Sequence, residues 1–502
     1  MPDIETLLRD VRPEWPEPSA AAEARARAAL GLGPAPRSPR GWRGRTARTR
    51  GTRLLIPAAL LVTAGAAVAA TLISSGSSGT ATGRPASLDF GPPEVVGAPV
   101  GSFDGGPAVA VDGHGVVTVA WARGGRVVVS TRATDGAWSA PERLSDPAER
   151  AAFPAVGADS DGAVTVTWRA RIAGRSVSQT FALPSGAPAG ELRDIRGERW
   201  AVVARTRPSG DGWSPAERLS GETAAVRDLE RPHLVVAPEG RATVAWDEGD
   251  AVMARSRPRH GAWGPPARLG GAGGEAVDVQ LAGATSGDAI ATWANRLGNG
   301  FGRRYAIGVA LMGADGAWTP AAVLDDRPTD PPNPAPGIGP RGDAAIAYIG
   351  ETDVTTTTAF VRPAGGAWSP PSRIQRAPGL FGIRGRPAVD ASGRTVVVSG
   401  PRGRATQHTS AGGWTPLRLR PTAGRTIGLG ALTDASGRIL ALRMHGTRLL
   451  LEAPGRYGAV QLGTTAAGVP LVATGVDGTT AVVWPTYGRG SNVVAAVAPG
   501  TP

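Results

Sequence analysis

The sequence predicts an all-β protein built from repeated units. The chain has 502 residues with 72 Gly and 45 Pro, a composition that favours many turns over long helices. A phrase close to Gly-x-Trp-x-x-Pro-x-x-Leu also returns along it. Its copies are GAWSAPERL (136–144), DGWSPAERL (211–219), GAWGPPARL (261–269), GAWTPAAVL (316–324), GAWSPPSRI (366–374) and GGWTPLRL (412–419). Such a repeat indicates one supersecondary element stacked on copies of itself.

Each phrase follows the same series of strand signals. In the first copy, residues 107–111 alternate in hydrophobicity, 112–115 form a turn, and 116–121 and 127–131 give two further strands before the chain turns into Trp138. This pattern predicts a four-stranded antiparallel meander. The second strand ends on an aromatic residue in several copies: Trp121, Trp168, Trp246, Trp293, Tyr348 and Trp484.

Repeated four-stranded units of this size are typical of β-propeller blades. The units fall at 104–146, 151–220, 228–270, 276–325, 334–376, 385–420 and 427–463, with an incomplete last unit at 469–497. The segment 90–97 is predicted to supply the missing strand, because an N-terminal strand in the C-terminal blade would close the ring and remove two exposed sheet edges. We expect eight blades, with seven as the alternative if the seventh unit is irregular.

The repeats resemble those of sialidase-type, or BNR-repeat, propellers, whose blades carry an Asp-containing turn followed by Trp. Here that turn is shorter, as in Asp135-Gly-Ala-Trp138, and the likeness covers residues 86–502. The resemblance implies the fold. The Arg-Ile-Pro signature of sialidases is absent, since Phe153-Pro154 lacks the Arg, so no catalytic residue is assigned from the family.

The N-terminal region predicts a type II membrane protein. Residues 54–73 form an uncharged apolar run of 20, about 30 Å as a helix. Seven Arg lie within 37–53, whereas 74–88 is a Gly/Ser/Thr linker with Arg84 as its one charge, so the positive-inside rule places the N-terminus in the cytoplasm. The expected domains are a tail (1–53), a transmembrane helix (54–73), a linker (74–88) and an extracytoplasmic propeller (89–502). A cleaved signal peptide ending near Ala69 is the alternative, although 53 preceding residues are long for one.

The tail looks like the start of many actinobacterial single-span envelope proteins, some of them anti-sigma regulators. The similarity covers about 70 residues and is compositional. It implies a cytoplasmic partner for residues 1–53; the alternative is a purely topogenic basic tail.

Composition excludes several kinds of chemistry. The chain has no Cys and no Lys, which excludes disulfides, thiolate metal sites, Schiff bases and a P-loop. The net charge of +12 is spread along the chain, so we expect no nucleic-acid partner. The five His have no metal-binding spacing, and we expect neither a metal nor a cofactor.

The candidate site lies where two insertions extend the loops between second and third strands, at 169–199 in blade 2 and 294–304 in blade 4. Arg binds carboxylate and phosphate groups in bidentate fashion, so these loops predict an anionic ligand, either an envelope polysaccharide or a surface protein. The predicted binding residues are Arg171, Arg175, Arg193, Arg196, Trp200, Arg303, Tyr305, Tyr487 and Arg489. A sialidase-like glycoside hydrolase using Tyr305 or Glu248, and a transmembrane signalling protein, are the alternative functions.

Overall fold

The computed structural model describes two sets of residues. Backbone and side chains are described for 89–97, 105–174, 198–221, 231–271, 274–297, 304–328, 332–349, 356–375, 385–400, 403–419, 422, 426–434, 437–446, 448–453, 462, 470–486 and 492–500. The backbone alone is described for 177–181, 190–194, 223–224, 350, 355, 376–377, 460–461 and 463–464. The predicted tail, transmembrane helix and linker lie outside both sets. The part described contains no helix that is long and apolar enough to cross a bilayer.

Within the compact unit Val62–Pro502, the described chain is all β, with 35 strands. The first, β1 (Glu94–Gly97), belongs to the last blade. Blade 1 is β2 (Ala108–Val111), β3 (Val117–Arg123), β4 (Arg126–Arg132) and β5 (Glu142–Arg143). Blade 2 is β6 (Arg150–Ala158), β7 (Val164–Ala173), β10 (Arg199–Arg207) and β11 (Glu217–Arg218), with β8 (Val177–Phe181), β9 (Gly190–Asp194) and β12 (Thr223–Ala224) added.

The next three blades are regular antiparallel meanders. Blade 3 is β13 (His233–Val236), β14 (Ala242–Glu248), β15 (Ala251–Arg257) and β16 (Ala267–Gly270). Blade 4 is β17 (Glu275–Gly283), β18 (Ala289–Leu297), β19 (Arg304–Met312) and β20 (Ala322–Asp325). Blade 5 is β21 (Ala335–Ile338), β22 (Ala344–Gly350), β23 (Thr355–Arg362) and β24 (Ser372–Ala377).

The last three blades include the one that closes the ring. Blade 6 is β25 (Pro387–Val389), β26 (Thr395–Ser399), β27 (Arg404–Thr409) and β28 (Gly413–Leu417). Blade 7 is β29 (Thr426–Thr433), β30 (Ile439–His445), β31 (Arg448–Glu452) and β32 (Val460–Thr464). Blade 8 is β33 (Leu471–Thr474), β34 (Thr480–Pro485) and β35 (Val493–Ala498), with β1 as its fourth strand.

The eight sheets form a β-propeller, which confirms the predicted fold and the count of eight blades. First strands of successive blades lie against one another from β2 to β29, and β33 returns to β2. The predicted closure is also confirmed, because β1 pairs antiparallel with β35 through Glu94–Ala495 and Gly97–Val493.

The aromatic residues at the ends of second strands form contacts between blades. Trp121, Trp168, Trp246 and Trp293 are fully or almost fully buried. A Cβ added to Gly270, at the end of blade 3, would overlap the Trp293 ring of blade 4. The outer strand of one blade therefore ends on a small residue where the next blade presents a large indole.

In three of the phrases the Trp packs against the residue six positions before it, near the end of the third strand. The Arg207 guanidinium lies 5.1 Å from the Trp213 ring centroid, and Arg257 lies 5.7 Å from Trp263. His408 takes the same place beside Trp414, with ring centroids 5.2 Å apart. These contacts fix the turn between third and fourth strands, which makes the phrase structural.

Turns between first and second strands are fixed by carboxylates. Asp159 Oδ1 accepts hydrogen bonds from the backbone N–H groups of Asp161 and Ala163, so the calcium-like segment 159–162 is a capped hairpin turn. The Arg341-Gly-Asp343 tripeptide likewise lies in such a turn, where its two charged side chains pair at 3.2 Å.

Candidate functional site

The propeller has two chemically different faces. The turns that join first to second strands and third to fourth strands lie on one face, here called the turn face. Connections between second and third strands and between blades lie on the other, here called the insertion face. Because β1 runs from the turn face at Glu94 to the insertion face at Gly97, the chain enters the ring on the turn face.

Blade 2 is elongated toward the insertion face. Strands β7 and β10 remain paired out to Ala173 and Arg199, and β12 pairs with β10 beyond the end of β11. Between β7 and β10 the chain makes a separate hairpin, in which β8 pairs with β9 from Val177–Asp194 to Phe181–Gly190. The predicted insertion therefore contains a two-stranded hairpin, here called the arm, in the connection between β7 and β10. In blade 4 the shorter insertion extends the β18–β19 ladder to Leu297–Arg304.

Three of the nine predicted binding residues have described side chains: Arg171, Trp200 and Tyr305. Arg193 is placed on β9 by its backbone only. The other five, Arg175, Arg196, Arg303, Tyr487 and Arg489, lie outside the described residues.

Arg171 and Trp200 meet at a buried carboxylate. Glu198 Oε2 accepts a hydrogen bond from Trp200 Nε1 at 2.9 Å, and Arg171 Nη1 lies 3.2 Å from Glu198 Oε1. Glu198 and Trp200 are both almost fully buried, whereas 29% of the Arg171 side chain is exposed. The indole therefore supports the base of the arm, and Arg171 is the member of this group that reaches solvent.

A second cluster joins blades 2 and 3. Arg169 Nη2 bonds both the carboxylate of Asp247 and its carbonyl oxygen, the latter at 3.2 Å. The adjoining Glu248 accepts a hydrogen bond from Trp246 Nε1 at 3.1 Å. These acids hold neighbouring blades and strands together.

Tyr305, the other hydrolase candidate, is 4% exposed, and its backbone N–H donates to the Pro328 carbonyl at 2.8 Å. The aromatic ring is thus in the packed edge of blade 4 and not on an open surface. Together with the engagement of Glu248, this burial gives the hydrolase alternative no support from geometry.

Another tyrosine on the insertion face, Tyr348, is hydrogen-bonded to a carboxylate that also binds an arginine. Tyr348 Oη donates to Asp325 Oδ2 at 2.6 Å, and Arg327 binds the same carboxylate through Nε and Nη2 at 2.8 and 2.9 Å. Burial tends to raise the pKa of Asp325, but hydrogen bonds from Arg327 and Tyr348 outweigh it and hold that pKa below its usual value. Burial and the Asp325 carboxylate raise the pKa of Tyr348, which is the opposite of what a nucleophile needs.

Two buried arginines connect first strands that are not neighbours. Arg231 before β13 reaches the carbonyls of Gly106 and Pro107 in blade 1, and Arg386 before β25 reaches Leu281 in blade 4 at 3.2 Å. Each spans the blade in between. Burial lowers the pKa of Arg231 to about 10, so it stays charged at neutral pH. These side chains fill space between the first strands.

Blade 1 carries a cavity on the insertion face, here called the blade 1 cavity. It has a volume of about 590 Å³ and is lined by Arg123, Gly124, Arg126, Val128 and Arg143. All three Arg are exposed, and no ion pair to any of them occurs among residues whose side chains are described. The cavity has the size of small-molecule sites and is strongly basic.

Beside the blade 1 cavity, the chain continues into blade 2. The backbone N–H of Ala151 donates to the Gly125 carbonyl at 2.7 Å, and the Arg150 side chain lies against Gly125. Arg150 is opposite Arg171 in the β6–β7 ladder. Arg150 thus lies between the β3–β4 turn of blade 1 and the strand of blade 2 that carries Arg171.

The described residues contain no cluster of three or more His, Asp or Glu side chains suited to a metal ion. No protein-family model matches the chain. No curated protein matches its sequence either.

Solved structures that resemble this chain include several distant likenesses. One is a virginiamycin B lyase from Staphylococcus aureus bound to quinupristin, at 10% identity and a TM-score of 0.41, covering 82% of this chain and 99% of that one. A streptogramin B lyase gives 11% identity and a TM-score of 0.37 over 70% and 93%. An ulvan-degrading polysaccharide lyase gives 12% and 0.39 over 82% and 95%. These values carry no argument about activity.

The predicted binding residues do not include Arg123, Arg126 or Arg143. Arg143 is part of the repeated phrase, where it looks like an ordinary surface position. The signal that identifies it is strand register, since Arg143 lies opposite Val128, two residues beyond Arg126.

Proposed function

We propose that this protein is a binding module that recognises an anionic ligand of the cell envelope, a glycan or a surface protein, on the insertion face of its propeller. The observation that carries the proposal is that blade 1 presents three exposed Arg around a cavity on that face. The arm between β7 and β10 of blade 2 adds to the connections of the same face.

The chemistry of the face supports binding over catalysis. Arginine presents a planar fork of N–H donors that matches carboxylate, phosphate and sulfate groups. In contrast, Glu198, Glu248 and Asp247 are occupied by Trp and Arg partners. The face therefore offers cations to a ligand and keeps these carboxylates in structural contacts.

The path of the chain leaves this face accessible. Residues before β1 reach blade 8 from the turn face, opposite the arm and the blade 1 cavity. We propose that residues 54–73 anchor the protein in the cell membrane and that residues 1–53 lie in the cytoplasm. Their sequence alone supports this part of the proposal.

The test is binding of defined glycans to the purified full-length chain. The probes are a heparin-derived octasaccharide (sulfated), an oligogalacturonate (carboxylated) and dextran (neutral). We expect the two anionic probes to bind, dextran not to bind, and affinity to fall as salt is raised, because exposed charges are screened. Capture of envelope material on the same protein, with identification of the bound proteins, tests for a surface-protein ligand.

The arm is tested by replacing residues 176–196 with Gly-Gly, which keeps Glu198 beside Trp200. We expect weaker binding without loss of the folded state, measured by circular dichroism. Equal affinity for charged and neutral glycans, or none for any probe or envelope component, would refute the proposal. Release of sugar fragments over time would favour the hydrolase alternative.

A further inference from the structure

The geometry of blade 1 points to one specific binding site: we propose that Arg123, Arg126 and Arg143 together hold the oxyanion groups of an anionic glycan in the blade 1 cavity. This inference rests on the proposed function and names the residues and the ligand class.

Strand register brings the three side chains to one face of the blade. Arg123 is directly opposite Arg126 in the β3–β4 ladder, and Val128 is directly opposite Arg143 in the β4–β5 ladder. Residues opposite each other in antiparallel strands share a face, as do residues two apart in one strand. All three guanidinium groups therefore project from the same side of three successive strands.

The charge of this site is uncompensated in the described part of the chain. Glu142, the nearest acid in sequence, alternates to the other face of β5, where it accepts a hydrogen bond from Trp213 Nε1 at 3.0 Å. Like charges gathered at one site repel each other, and an anion placed among them relieves that repulsion. The site is therefore suited to a ligand with more than one negative charge.

The floor and rim of the cavity are suited to an extended ligand. Val128 gives the cavity an apolar floor along which Arg side chains can lie. The β3–β4 turn is Gly124-Gly125, with φ of 58° and 73°, and an added Cβ at Gly124 would meet nothing within 4 Å. Gly124 is thus open to solvent, so a chain longer than the cavity can leave it across this residue.

The lining residues determine the ligand class. A cavity of about 590 Å³ is larger than an isolated inorganic anion needs. None of its lining residues is aromatic, so recognition depends on charge and not on stacking against a sugar ring. Sulfate, phosphate and carboxylate share the oxyanion geometry that Arg binds.

The experiment compares the full-length chain with a triple variant, Arg123→Gln, Arg126→Gln and Arg143→Gln. Arg341→Gln, a single variant on the turn face, is the control. We expect the triple variant to bind the heparin octasaccharide at least tenfold more weakly and with a smaller salt dependence. The control should bind like the wild type, and thermal unfolding should show that both remain folded. Comparing sulfated with carboxylated probes identifies the preferred oxyanion.

A second measurement does not depend on variants. Phenylglyoxal modifies accessible Arg side chains, and mass spectrometry can follow the modification of Arg123, Arg126 and Arg143 with and without the octasaccharide. We expect protection of these three residues and none of Arg341.

The outcomes separate the two proposals. Wild-type affinity in the triple variant, together with loss of binding on removal of the arm, would overturn this site and leave the proposed function intact. Tighter binding of a poly-aspartate peptide than of either glycan would overturn the ligand class. No binding of any anionic ligand to the wild type would remove the proposed function itself.

Discussion

Arg443 and Glu452 form a buried ion pair within blade 7. Arg443 Nη2 lies 2.7 Å from Glu452 Oε1, and both side chains are almost fully buried. They sit diagonally across the β30–β31 ladder, since Arg443 is opposite Leu450 and Glu452 is opposite Ala441. Removal of one partner would leave the other charge buried without compensation.

We therefore predict that Arg443→Met lowers the free energy of unfolding by about 3–5 kcal/mol. The double variant Arg443→Met with Glu452→Leu should recover most of that loss, because it removes both charges. Chemical denaturation of the three proteins measures the effect. A single variant no less stable than the double would contradict the prediction.

Asp325 makes stability depend on pH, because its pKa is lower in the folded protein than its usual value of 3.8. A carboxyl group of this kind contributes stability above its unfolded pKa, and this contribution disappears as pH falls through the folded value. Hydrogen bonds to a charged carboxylate contribute roughly 1.5–3 kcal/mol.

We predict that Asp325→Asn is less stable than the wild type by about that amount at pH 7. The difference should decrease as pH falls below 3.8, because the unfolded chain then binds a proton that the folded protein binds only at lower pH. Unfolding curves at pH 7, 5 and about 3 measure it. A difference that stays constant over this range would show that the Asp325 charge is not responsible.

At the scale of strands, successive blades pack together through pairs of residues near the insertion face, one residue from each blade. The last residue of one outer strand faces the last large residue of the next blade's second strand, as in Gly97 with Trp121 and Gly270 with Trp293. In blade 5 the aromatic residue is Tyr348, and blade 4 ends on Asp325, which accepts its hydroxyl hydrogen bond. Each pair is complementary either in size or in hydrogen bonding.

We predict that Gly270→Ala destabilises the protein by about 1–3 kcal/mol, because the added methyl group would overlap Trp293. Gly212→Ala is the matched control, since its added Cβ meets nothing within 4 Å. Thermal unfolding of both variants measures the effect. Equal melting temperatures would show that blade 4 moves to accommodate the methyl group at little cost.

At the scale of the whole molecule, closure of the ring depends on β1. This strand supplies the outer edge of blade 8, and Gly97 at its end packs against Trp121 of blade 1. Without it, the edge of β35 would lose its backbone partners, and the contact between the last and first blades would be weakened.

We predict that a chain starting at residue 98 unfolds at a temperature lower by about 5 °C or more than one starting at residue 84. Addition of a peptide of residues 89–97 should restore part of the difference, because it can pair with β35. Calorimetry of both chains, with and without the peptide, measures this. Identical melting temperatures would mean that the contacts of the first strands alone hold the ring closed.

The sequence predicts the fold closely because the propeller is encoded locally. Strand alternation, Gly turns and the Trp phrase recur within each unit, and the incomplete last unit indicates the closing strand before any contact is known. The site was predicted less completely. Arg171 reaches the insertion face, but Trp200 and Tyr305 are buried, because burial depends on packing against other strands, as in Trp200 with Ala152.

The sequence by itself determined the all-β class, the repeated blades and the strand that closes the ring, because each depends on spacing between residues near in sequence. Only the tertiary structure decided which distant side chains meet. Arg231 reaches blade 1, the buried Glu198 bonds Arg171 and Trp200, and Arg143 joins Arg123 and Arg126 on one face. The reason is physical, since these contacts follow from strand register and from the stacking of blades around the ring, and neither is visible in the spacing of residues along the chain.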